Sequence, residues 1–217
     1  MKRFFDAYPW IAFLFLFPAS IFIWRYILDD WGKVATVSIM PVLVSYIIPA
    51  AGTNLTKLWE FNTRAKLGNF PWYHGFVLGA SVNIFGAMAY VVSPEYGGIS
   101  ASVIFAIIMG SFVAFWNWYY DIYAIKAGFI IVYNKAGAEG KSAEEITVLY
   151  APVYFFMFGL IYGFYLKIAQ LSFLERPAWW IWFMISFHIL ALTLPTAVYA
   201  LVSKKVDGNW GISKYRP

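Results

Sequence analysis

The chain has 217 residues, 62% hydrophobic and 12% charged, which is about half the charge of an ordinary soluble domain. So little polar surface excludes a soluble globular fold. The net charge of +5 is not laid out as a basic stripe within polar loop sequence, which argues against nucleic acid as a partner. The lack of cysteine removes disulfides, thiolate metal sites and CxxC redox chemistry.

The apolar residues fall in runs of bilayer length, about 20 residues each. Span 1 is expected over 9–28, with no small-residue cleavage site before Asp29 and Asp30, and reads as a retained helix. Span 2 is expected over 34–53 and carries Pro41 and Pro49. A polar segment follows in which Lys57, Glu60, Arg64, Lys66 and His74 gather at one mouth of the bundle. Span 3, expected over 73–93, reads YHGFVLGASVNIFGAMAY. Gly75, Gly79, Asn83 and Ala87 recur every fourth residue, drawing a narrow face that lets another helix approach closely.

Span 4 is expected over 100–122 and ends in FVAFWNWYYDIYAIKAG, residues 112–128. Asn117 and Asp121 are four apart there and share one helix face. The next piece, DIYAIKAGFIIVYN, is too short to cross again and reads as a continuation of helix 4 or an interfacial helix. Ser142 with Glu145 three residues later forms a capping box for span 5, expected over 147–169 with a small pair at Gly159 and Gly163. Span 6 is expected over 178–202 and contains His188 and Pro195. The fold class expected is all-α, a polytopic bundle of six transmembrane helices forming one domain over 1–217.

Orientation follows from Lys and Arg. With the amino terminus inside, twelve fall on the inner side and only Arg25, Lys33, Lys167 and Arg176 on the outer. This split places both termini in the cytoplasm, in the inner (plasma) membrane of a prokaryote. Implied partners are membrane lipids, and a second copy of the chain or a larger membrane complex.

Polar side chains at membrane depth are costly and face protein or water. Counted from span centres, Asn83, Ser111 and His188 lie near the midplane, with Asn117 and Asp121 nearer the inner boundary. These five are the candidate substrate or pathway residues. Lys57, Arg64, Lys66 and His74 are the candidate contacts for an anionic group. His188 is either a packed, hydrogen-bonded histidine or a proton relay. It has no second histidine or carboxylate at ligand spacing, so no metal site is expected. Two histidines cannot supply two haems, and every lysine lies at or beyond a span end, which excludes a retinal-type Schiff base. No DxxD pair, HExxH, GxSxG or P-loop occurs. The sequence identifies no cofactor.

Three functions fit. The first is a transporter or channel for a small solute, with a polar cavity between proline-bent helices. The second is an intramembrane enzyme acting on a lipid or isoprenoid, with Asp121 or His74 as acid or base. The third is a non-catalytic subunit that packs pigment, quinone or partner helices against its aromatic rings.

Overall fold

The computed structural model describes residues 2–93, 98–169 and 176–216. Six of its helices are long and apolar enough to cross a membrane: Arg3–Leu28, Trp31–Leu55, His74–Val92, Ile99–Lys126, Ala151–Ala169 and Pro177–Asp207. The chain is an all-α integral membrane bundle, and these are spans 1 to 6. The connections at 94–97 and 170–175 lie outside the described residues.

Small residues set the helix spacing. A Cβ added to Gly159 would meet Gly110 Cα at 2.9 Å and the Met109 carbonyl oxygen at 3.0 Å, and one at Gly163 would meet Ala106 Cα at 2.9 Å. Spans 4 and 5 therefore touch backbone to backbone, the closest approach membrane helices make. The small face of span 3 turns to span 2, where a Cβ on Gly79 would fall 2.5 Å from Val42 Cγ2. Around these seams packs a core that includes Trp24, Met40, Phe105, Met109, Phe158, Tyr162 and Phe187.

Three boundaries differ from the sequence reading. Span 1 starts at Arg3 rather than residue 9. Its first turns are held because Phe5, 2% exposed, stacks on Phe129 and meets Tyr120 edge-on. The Ser142–Glu145 capping box is present, but it caps a short helix, Ala143–Val148, and span 5 restarts at Ala151. Pro152 explains the break, since its ring would clash with the Val148 carbonyl four residues back.

The third difference is the segment after span 4. Helix 4 runs on to Lys126 and stops where Gly128 adopts φ +66°. Phe129 N–H then bonds Ala124 O and Gly128 N–H bonds Ile125 O, which is a Schellman cap. The β-branched Ile130–Val132 is a strand, β4, not part of a helix. It pairs antiparallel with β1, Trp59–Phe61, in the register Trp59↔Val132 and Phe61↔Ile130. A second small ladder joins β2, Lys66–Leu67, to β3, Phe70–Pro71. The carboxy-terminal tail closes this layer: Lys214 N–H bonds Thr56 O at 3.0 Å and Tyr215 N–H bonds Tyr133 O at 2.8 Å. Both long loops and both ends of the chain thus meet at one end of the bundle, forming a floor.

Two wide π-helical turns interrupt spans 1 and 2, at Ala12–Leu16 beside Pro18 and at Ala51–Leu55 after Pro49. In span 2 side chains occupy carbonyls near the wide turn, with Thr53 Oγ1 donating to Pro49 O at 2.7 Å and Asn54 Nδ2 to Ala50 O at 3.0 Å. Trp59 of β1 lies directly against Gly52, where an added Cβ would fall inside its ring.

The opposite end holds the counterpart anchors. Asp30 caps span 2 by accepting from Lys33 N–H at 2.7 Å, Arg25 pairs with Asp29, and Lys167 lies over the Tyr90 ring at 4.9 Å. Cysteines placed singly at Lys141 and at Trp31, both exposed, are expected to react with an impermeant maleimide from opposite sides of intact cells, Trp31→Cys from outside. Labelling of Lys141→Cys from outside would invert the assignment.

Candidate functional site

Above the floor lies a cavity of about 710 Å³, well within the range that holds a small ligand. Its walls include Phe4, Phe5 and Tyr8 of span 1, Val44, Ser45 and Gly52 of span 2, Trp59 and Phe61 of β1, span 3 between His74 and Phe85, and span 4 between Trp116 and Tyr123. Ile130 and Val132 of β4, Tyr150, Tyr154, Thr196, Tyr199 and Ile212 also line it. Carbon and aromatic rings dominate, and Asp121 is the only carboxylate among the described lining residues. No Lys or Arg is among the described lining residues.

Asp121 is 8% exposed and accepts a hydrogen bond from the Tyr150 hydroxyl at 2.8 Å. Burial first, and the Asp121 charge second, push the Tyr150 hydroxyl well above its ordinary range, so Tyr150 is the donor of the pair. Asn117, one turn deeper, is also buried against the cavity, and its Nδ2 donates to Val113 O at 2.8 Å. His74 packs against Phe61 with ring centroids 4.9 Å apart and planes tilted by 54°. Tyr8 and Ser81 share a hydrogen bond of 3.0 Å across the wall. Asp121 has no salt bridge among the described residues, and Lys126, five residues on, pairs with Glu144.

The sequence candidates therefore divide. Asn117, Asp121 and His74 converge on the cavity. Asn83 does not line it. Fully buried in the core, its Oδ1 is 2.8 Å from the Tyr162 hydroxyl, which also reaches Val37 O at 3.0 Å. Asn83 Nδ2 donates to Ser38 O at 3.4 Å, and Trp24 Nε1 donates to the Asn83 carbonyl at 3.1 Å. It joins spans 1, 2, 3 and 5. Ser111 is exposed on the outside of span 4 and donates to its own helix at Ile107 O. His188 Nδ1 is 2.7 Å from Met184 O on its own helix, and Nε2 is buried without a hydrogen-bond partner. Neither Ser111 nor His188 lines the cavity.

Lys57, Arg64 and Lys66 are exposed on the far side of the floor. Lys57 instead borders a smaller hollow with Glu60, Tyr133 and Lys214. There the Tyr133 hydroxyl donates to Glu60 at 2.6 Å, a bond that pushes its pKa up to about 12.

Sequence reasoning missed Tyr150. It lies between the capping box and Pro152, 29 positions from Asp121, and nothing local links the two. Ser45, Ser81 and Thr196 were missed in the same way. No protein family, curated protein or solved structure matches this chain.

Proposed function

We propose that this protein is an intramembrane enzyme acting on an apolar amphiphile of the lipid or isoprenoid class in the inner (plasma) membrane of a prokaryote. One observation carries this reading: a chain-sized aromatic cavity holds a single buried carboxylate, Asp121, bonded to Tyr150. The walls match a hydrocarbon chain, and the Asp121–Tyr150 pair matches its polar end. Asp121 serves as acid or base, and Tyr150 orients it by fixing one carboxylate oxygen.

The side chains that border the cavity and remain open to the outside support a route in from the bilayer. Phe4 is 55%, Trp116 41% and Tyr119 48% exposed. All three line the cavity, on spans 1 and 4. Phe85 of span 3 stacks on Trp116 with centroids 6.2 Å apart. An amphiphile in the inner leaflet meets these rings before it meets water.

Transport is the second reading, favoured by the wide turns of spans 1 and 2, which are the kind of broken helix that transporters use. Both readings require a bound amphiphile. Protein purified in mild detergent is expected to retain one class of chain-bearing molecule, enriched over bulk lipid by mass spectrometry of its extract. Leu78→Trp, which fills the cavity from span 3, is expected to purify folded and lose the enrichment. An extract with the bulk lipid composition in both proteins would overturn the proposal.

A further inference from the structure

We infer that the cavity selects an amphiphile whose polar end is positively charged, an amine or a quaternary ammonium. The inference rests on the amphiphile reading above and adds the charge of the head group. The sequence had offered Lys57, Arg64 and Lys66 as contacts for an anion, but these are exposed and none lines the cavity. The nearest basic side chain along span 4, Lys126, has its charge engaged by Glu144. A phosphate or carboxylate head would face Asp121 with no described lysine or arginine on the wall to neutralise either charge. A like-charge pair in a low-dielectric pocket is strongly unfavourable.

The same arrangement suits a cation. A buried carboxylate is stable when paired, and among the described residues Asp121 has only the neutral Tyr150 hydroxyl as its hydrogen-bond partner. A carboxylate can accept several donors, which leaves capacity for an incoming ammonium. The cavity that Asp121 lines is also lined by Trp116, Tyr119, Tyr120, Tyr123 and Phe5. Aromatic faces attract cations through their quadrupoles, most strongly where water is excluded. A carboxylate among aromatic rings, with no competing lysine or arginine on the described lining, is the chemistry that recognises ammonium groups. His74 is the second titratable imidazole or carboxylate group on the wall, and it forms no salt bridge with Asp121 among the described residues.

The test uses the full chain washed in maltoside micelles until mass spectrometry finds no retained amphiphile, so that no ammonium-bearing lipid competes with the probes. Four probes with one dodecyl chain are compared at submicellar concentration: dodecyltrimethylammonium, dodecylamine, dodecanol and dodecyl phosphate. Binding is read from quenching of tryptophan fluorescence and from thermal stability. The two cationic probes are expected to bind at least about tenfold more tightly than dodecanol, with the phosphate weakest. Asp121→Asn should bring the cations down to the level of the alcohol, and Asp121→Glu should keep the order. Equal binding of all four probes, or a preference that survives Asp121→Asn, overturns the head-group inference and leaves the amphiphile reading standing. Binding of none of the chains overturns both. The wild-type ranking decides the matter even if Asp121→Asn fails to fold.

Discussion

Gly159→Leu is expected to abolish recovery of folded protein. The glycine sits where spans 4 and 5 meet, and an added Cβ would press on Gly110 Cα and on the Met109 carbonyl, both backbone atoms. A flexible side chain could swing aside, but backbone can yield only by separating the helices. Overpacking a well-packed core ordinarily costs about 1–3 kcal/mol. Here the cost is higher, because close packing, not the hydrophobic effect, drives helices together in lipid. Phe115→Leu, on the partner helix of that seam, span 4, but 54% exposed, is the control and should be neutral. The measurement is the monodisperse fraction on size-exclusion chromatography. Equal yields from the two variants would show that the spans do not touch at this seam.

The second large effect belongs to Asp121. Once the retained amphiphile has been identified and its conversion assayed, Asp121→Asn should lower turnover by about 100-fold or more, the usual worth of a positioned acid or base. Tyr150→Phe should cost less, about tenfold, because it removes only the hydrogen bond that orients the carboxylate. Both variants should melt near the wild-type temperature. Full turnover in Asp121→Asn would remove acid–base chemistry from this site and leave binding or transport as the function.

The spans were legible because bilayer thickness imposes a length that a hydropathy pattern records directly. Position along a span could be counted in the same way for Asn83, Ser111 and His188. The direction each side chain faces could not. A helix can be rotated about its axis without any change in depth, and that rotation is fixed by packing partners elsewhere in the chain. Asn83 turns inward to Tyr162 because Gly79 and Gly75 on the same face seat span 3 against span 2. Ser111 shares a helix with Asp121, yet it faces outward while Asp121 faces the cavity. Asn117 and Asp121 were correctly paired because four-residue spacing is local. Tyr150 was invisible because its contact with Asp121 is tertiary. The β1–β4 ladder was invisible for a related reason. Strand pairing between residues 59–61 and 130–132 has no local periodicity that can announce it, and the apolar run FIIVY fits an interfacial helix equally well.

The floor of the cavity also sets an order of assembly. Its strands come from segments separated by two whole spans, and its last two bonds are made by Lys214 and Tyr215, after span 6. At a synthesis rate of roughly 5–20 residues per second, the tail emerges seconds after β4 has been made. A nascent chain with five spans inserted therefore lacks Thr196, Tyr199 and Ile212, which line the cavity. The cavity is complete only when span 6 and the tail are in place, so its completion reports that the last span has been inserted.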